Sequence, residues 1–229
     1  MKRLLPLLIL LLAVVILVPL LRDERPSHEP ATGLPWQVAT LPDGHSRVFG
    51  LTLGQSSFRD ALERHGHDME LAIIAHPGED GSLELFYSRF TAGMLSGRLI
   101  LGTNLDSTPL LELRERAVRS KVLSSGARKF ALDPADLPTA YGATVESITF
   151  IPAADLDTEM VEHRFGAPAD IIRVNKRVEH LLYPDLGLDL ILDRDGKEVL
   201  QYVAPRHFDR LRQPLEQNLE PESGAAAAE

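Results

Sequence analysis

Histidine and carboxylate side chains supply what reactive chemistry this 229-residue chain has, for it carries eight histidines, 33 Asp and Glu, and no cysteine. The closest histidine pair is His65-Gly66-His67, with Glu63 and Asp68 beside it. A metal ion wants its ligands on one helix face or across a defined loop, and a glycine that stops a helix between two histidines offers neither. His45, His76, His163, His180 and His207 follow no common spacing. Asp193-Arg194-Asp195-Gly196 has the look of a calcium loop, yet the spacing puts Ile191 and Tyr202 where oxygen ligands belong, so a hairpin turn explains it better. No G-x-S-x-G elbow and no glycine-rich phosphate loop occurs, and Glu79-Asp80, Asp155 and Asp157 sit where turns and helix caps use carboxylates for backbone hydrogen bonds. The expectation is therefore no catalytic residue, no metal, no cofactor, and a protein that is not an enzyme. Without cysteine there are also no disulfides and no lipid-modified cysteine.

Charge sets a further limit. The net charge is -9, and it is unevenly placed: residues 44–128 hold 10 Lys and Arg against 10 Asp and Glu, while 129–208 hold 8 against 14. Nucleic acid is gripped by clustered cations, so it is not an expected partner.

The elements that would position any site begin after an unusual amino terminus. Met1-Lys2-Arg3 precedes the uncharged apolar run Leu4–Leu21, which as a helix would reach about 27 Å and just span a bilayer core. The run ends in Leu20 and Leu21 rather than in small residues, which favours an uncleaved anchor over a cleaved signal. Cations at its start imply a cytoplasmic amino terminus and a carboxy-terminal domain outside the cytosol, which in a diderm bacterium means an inner-membrane protein facing the periplasm. Residues 22–43 are a Pro-rich tether, and Trp36, the only tryptophan, is expected to dock on the folded domain.

Residues 44–128 form the first folded unit. Val48–Leu53 reads as a short strand, and Ser56 or Ser57 caps a helix with Phe58, Ala61, Leu62 and His65 on one face before Gly66 stops it. Strands are expected at Met69–Ala75, Leu83–Phe90 and Met94–Leu101, then a helix opened by Thr108-Pro109 that runs to Gly126 with a basic, solvated face of Arg114, Arg116, Arg119 and Lys121. Residues 129–212 form the second unit. Pro134 and Pro138 forbid a long helix in 128–143; Val145–Ile151 is a strand; Asp155 or Asp157 caps a helix that Gly166 and Pro168 end. Leu188, Leu190 and Leu192 alternate with Asp189, Ile191 and Asp193 as a half-buried strand, Asp195-Gly196 supplies a two-residue turn of positive φ, and Val199–Val203 returns. Residues 205–212 add a helical turn, and 213–229 are a disordered tail.

Sliding the chain by 100 residues lays Gly66 on Gly166, Arg64 on Arg164 and His65 on Phe165, so the two units read as similar repeats, each with short helices on an antiparallel sheet. The fold class expected is α+β, preceded by one transmembrane helix. Leu51-Thr52-Leu53-Gly54-Gln55-Ser56-Ser57-Phe58 with Gly66, and Val161-Glu162-His163-Arg164-Phe165-Gly166-Ala167-Pro168 with Tyr183-Pro184-Asp185-Leu186-Gly187 and Asp195-Gly196-Lys197, resemble the superfamily of the β-lactamase inhibitor protein and the small lipoprotein of the outer-membrane β-barrel assembly machine. That resemblance implies an extracytoplasmic protein-binding module without catalytic residues. The expected partner is another envelope protein, met in envelope assembly or regulation. The surface that would meet it is assigned to aromatics on strands, Phe86, Tyr87, Tyr183 and Tyr202, with Tyr183 and Tyr202 on the sheet face that helices leave bare. The alternative is a small-molecule or lipid-binding domain with an apolar pocket between the repeats.

Overall fold

A computed structural model describes residues 33–219 of the chain; the apolar run 4–21, residues 22–32 of the tether and residues 220–229 of the tail lie outside the described residues. Among the described residues no helix is long and apolar enough to cross a membrane.

The architecture is α+β: one large antiparallel sheet with a few short helices. A small sheet comes first, from β1 (Ala39–Thr40), β2 (Ser46–Val48) and β3 (Leu51–Thr52). Val48 pairs with Leu51, so Phe49-Gly50 is a two-residue loop, and both residues have positive φ, 52° and 76°. That is the mirror-image turn whose twist suits a tight hairpin. Phe49 tolerates it because its ring is held in the core, 5.4 Å from both Phe90 and Phe150 and 6.0 Å from Tyr202. Helix α1 (Phe58–His65) follows, with Ser57 and Asp60 in a reciprocal capping box.

The main sheet is built from β4 (Glu70–Ala75), β5 (Ser82–Ala92), β6 (Leu95–Gly102), β7 (Arg119–Val122), β8 (Arg128–Ala131), β9 (Ser147–Pro152), β10 (Asp170–Arg173), β11 (Val178–Tyr183), β12 (Leu188–Asp193) and β13 (Val199–Val203). Its ten strands lie in the order β10-β11-β12-β13-β9-β6-β5-β4-β8-β7, with antiparallel pairing throughout. The two halves of the sequence thus share one continuous sheet, joined where β6 pairs with β9 from Gly97–Pro152 to Gly102–Ser147. Gly97 is required there: a Cβ on it would meet the Phe150 ring at 2.6 Å and collide with the Ile151 carbonyl.

One face of the sheet carries the main core. Leu83, Leu85, Leu99, Leu101, Ile148, Phe150, Leu188, Leu190 and Leu200 are fully buried on it, under α1, α2 (Ser107–Glu115) and α4 (Thr158–Phe165). α3 (Leu137–Ala140) is a single turn after a 3₁₀ turn at Pro134–Asp136, as its two prolines require. In α4 the Asp157 side chain accepts from the Met160 N–H at 2.7 Å. Gly66 and Gly166 close α1 and α4 with the same backbone geometry (φ 87°, ψ -177° and φ 80°, ψ -172°), which only glycine adopts without strain. Each glycine carbonyl accepts a tyrosine hydroxyl at 3.1 Å, Gly66 from Tyr87 and Gly166 from Tyr183. Trp36 does dock: its ring meets Phe165 edge-on at 6.4 Å, Arg164 covers it at 4.7 Å, and the neighbouring Pro35 carbonyl accepts from Tyr202 at 3.0 Å.

Five local expectations are corrected. Val48–Leu53 is not one strand, because the turn at Phe49-Gly50 folds it into the paired β2 and β3. The helix opened near Thr108 starts at Ser107 and ends at Glu115, not Gly126, because Arg119–Val122 leave it to pair with β8 as an edge strand. Asp195-Gly196 is not a two-residue turn: residues 194–198 connect β12 to β13, Gly196 has no positive φ, and the Asp193 carboxylate accepts from the Asp195 N–H at 3.1 Å. The two strands do pair as expected, Leu188 opposite Tyr202 and Ile191 opposite Val199. The tail does not begin at 213, because α5 runs through Asp209–Leu219 with Pro214 inside it. Finally, α5 packs on the second face of the sheet, where Phe208, Leu211 and Leu215 cover Ile172, Leu182 and Val203.

Candidate functional site

Strand register decides which side chains share a face, because directly paired residues project the same way. One unbroken row crosses eight strands: Asp170, Leu182, Asp189, Gln201, Thr149, Ile100, Phe86, Glu70. It lies on the second face, opposite the main core. The adjacent row of Tyr183, Leu188, Tyr202, Ile148, Leu101 and Leu85 lies on the core face.

These rows separate the four aromatic candidates. Phe86 is on the second face and half-buried. Tyr87, Tyr183 and Tyr202 are core residues, 2%, 5% and 1% exposed, so they are not a partner surface. Tyr183 and Tyr202 lie under the helices, the reverse of the expectation; burial pushes the hydroxyl pKa of Tyr87 and Tyr183 up to about 12 and that of Tyr202 well above its usual value. Phe90 joins Tyr87 in the core because a bulge between them shifts the register and reverses the alternation.

Around Phe86 the second face is open. Ala72, Ile74, Phe86, Ile100 and Leu123 line a groove of about 260 Å³, with Glu70, Glu84 and Lys129 at its polar margin. Lys129 is ion-paired to Glu70. The Ser82 hydroxyl donates to Glu84 at 2.6 Å. Burial raises the Glu84 carboxyl above its usual pKa, and that hydrogen bond opposes the rise. The floor is apolar and the margin carries charge, which suits holding an apolar surface in a fixed orientation. Sequence reasoning missed Ile74, Ile100 and Leu123. A signal was present in β4, where Leu71 and Ile73 on one parity and Ala72 and Ile74 on the other are all apolar.

The polar clusters have other roles. His65 and His67 do not converge: His67 is exposed, while the His65 ring turns inward, edge-on to Phe90 at 5.1 Å and to Tyr87 at 6.2 Å. His180 and Asp189 form a buried imidazole–carboxylate pair at 2.8 Å on the face that α5 covers, and the second Asp189 oxygen has no hydrogen-bond partner among the described residues. His45 meets the Asp43 carboxylate at 3.0 Å and the Gln55 amide at 3.3 Å, bracing the loop before β2. Among the described residues no group of three or more His, Asp and Glu is placed to hold a metal ion.

Compared with protein-family models, curated proteins and solved structures, the chain matches none.

Proposed function

We propose that this chain is a membrane-anchored, extracytoplasmic protein-interaction module that binds another envelope protein through the open half of its sheet, in envelope assembly or regulation. The observation that carries this is the apolar strip Ala72, Ile74, Phe86 and Ile100, which no helix covers among the described residues, on a sheet whose other half is covered on the same face. A strip of this kind, rimmed by charge, is where a soluble domain gains most from a partner. The apolar run 4–21 provides the anchor, the inner membrane the location and the periplasm the compartment; nucleic acid is not among the partners, and binding rather than bond-breaking is the output.

The same proposal treats the two halves as copies of one α+β unit related to the β-lactamase-inhibitor-like superfamily. In its favour, α1 and α4 are offset by 100 residues, as are their glycine stops, and both tyrosine–glycine hydrogen bonds have the same length. Counted outward from the Gln201–Thr149 pair, Leu182 and Phe86 stand at matching positions, as do Asp170 and Glu70.

The test is photocrosslinking in intact membranes from benzoylphenylalanine placed at Phe86, with exposed Glu63 on α1 as control. A discrete protein adduct from position 86 and none from 63 is expected. No adduct at 86 across growth conditions, or the same adducts at both positions, refutes the proposal. The groove itself favours one other reading, a small-molecule or lipid-binding domain; native mass spectrometry of the purified chain carrying a bound ligand would support that instead.

A further inference from the structure

The covered half of the sheet describes the occupant of the open half. On the covered half, α5 and the residue before it place apolar side chains at i, i+3 and i+7 (Phe208, Leu211, Leu215) over Ile172, Leu182 and Val203, on β10, β11 and β13. That helix covers a width of four adjacent strands, about 14 Å at roughly 4.8 Å between neighbours. The open groove also spans four adjacent strands, β8, β4, β5 and β6, through Lys129, Ala72 and Ile74, Phe86, and Ile100. A helix with its side chains is about 10–12 Å across. Its apolar positions correspond as well, since Phe86 stands where Leu182 does, one place before the hydroxyl-bonded tyrosine of its half. Glu84, two residues before Phe86, stands where His180 precedes Leu182.

Charge adds an orientation. Beyond the groove, β7 places Arg119 opposite Ala131 and Lys121 opposite Lys129, and those two pair with Ala72 and Ile74. Arg119 and Lys121 therefore share the groove's face, and all four residues of β7 are exposed. Glu70 already neutralises Lys129, which leaves the β7 side of the groove cationic. An acidic flank on the occupant would complement it.

We infer that the open face of the first half seats a single amphipathic helix from a partner protein, with apolar side chains at i, i+3 and i+7 on the Phe86 strip and Asp or Glu along the flank that meets Arg119 and Lys121. This deepens the protein-binding proposal and rests on it, while making a narrower claim.

A phage-displayed library of random 16-residue peptides, selected on the detergent-solubilised full chain, tests it. The expected winners carry the helical apolar spacing and an acidic flank, become helical on binding by circular dichroism, and shift the methyl resonances of Ile74 and Ile100. Phe86→Ala should weaken the best synthetic winner tenfold or more. The double change Arg119→Glu with Lys121→Glu, on an exposed strand, should do the same and should prefer peptides with Lys in place of the acids. Winners of alternating apolar pattern that add to the β7 edge, an affinity unchanged by the β7 double variant, or no enrichment over bare resin would each overturn the inference. If position 86 still crosslinks a protein in membranes, the helix claim alone falls; if neither experiment captures anything, the protein-binding proposal falls with it.

Discussion

Replacing His65 with Phe separates two demands that the first half places on one position. His65 is the last residue of α1, and its ring fills a space between Phe90 and Tyr87 while its Nε2 is buried without a hydrogen-bond partner among the described residues. Burial is the main cause that pulls its pKa down from 6.5 to about 4; the adjacent Arg64 charge adds to this, and a hydrogen bond with the Phe49 backbone opposes it. Because the folded pKa is depressed, the unfolded chain takes up a proton as the pH falls below 6.5 and the folded chain does not until about 4. The stabilising contribution of the neutral ring is complete above pH 6.5 and is lost steadily between 6.5 and about 4. From pH 6.5 to 5 the unscreened loss would be about 2 kcal/mol, at 1.36 kcal/mol per unit. The ring is only partly enclosed, and solvent screening reduces that to about 1 kcal/mol. The matching position of the second half holds Phe165, packed on Tyr183 at 5.9 Å, which is a precedent for an aromatic there with no titrating nitrogen. His65→Phe is expected to stay within about 1 kcal/mol of the parent at pH 7.5, since it removes an unsatisfied buried nitrogen but also the hydrogen bond with the Phe49 backbone. Between pH 7.5 and 5 the parent should lose about 1 kcal/mol more than the variant. Urea unfolding followed by the fluorescence of Trp36, at closely spaced pH values, gives both curves. Parallel curves for parent and variant would show that the ring titrates as it does in water, and the burial argument would be wrong.

Three further outcomes are expected. Gly97→Ala should cost about 3 kcal/mol or more, because the new methyl meets the Phe150 ring and the Ile151 carbonyl where β6 joins β9; thermal unfolding reads it, and a shift within error would refute the close approach. Tyr87→Phe and Tyr183→Phe should each lose about 1 kcal/mol, since each removes the hydroxyl bond to a glycine carbonyl and leaves the ring packing intact, with Tyr87 losing at least as much because its hydroxyl also reaches the Ala61 carbonyl at 3.3 Å; a loss in only one of them breaks the equivalence of the two halves. Phe208→Ala should cost about 3 kcal/mol and raise amide exchange at Ile172 and Leu182 before the rest of the sheet, as the cover of the second face loosens; exchange that rises uniformly would mean α5 is not a separate layer.

Much of the fold was legible because local rules govern it. The capping residues Ser57 and Asp157, the stops at Gly66 and Gly166, and the alternation in β5 and β9 depend on neighbours within a few residues, whereas β12, expected to be half-buried, is buried on both faces from Leu188 to Leu190. Long-range pairing was not legible. Arg119–Val122 lie in a run with helical spacing, and only the hairpin with β8, itself held by pairing with the distant strand β4, draws them out as an edge strand. Parity in β11 and β13 shows that Tyr183 and Tyr202 share a face with leucines, but not which face the helices take, and so the sequence alone places these two core residues on a partner surface. The groove depended on a second unknown: α5, which the sequence reads as a helical turn up to 212 and a tail from 213, covers one half of the second face, and no described helix covers the other.

The join between β6 and β9 also sets a timetable for synthesis. β6 is complete at Gly102, yet its second edge stays unpaired until β9 arrives at Ser147, and β9 in turn waits for β13 at Val199. At about 5–20 residues per second a translating ribosome leaves each edge bare for several seconds, time enough for a hydrophobic strand to pair with the wrong chain. Wrong pairing at those edges is therefore expected to grow as the concentration of unfinished chains rises, and the recovery of folded protein to fall with it.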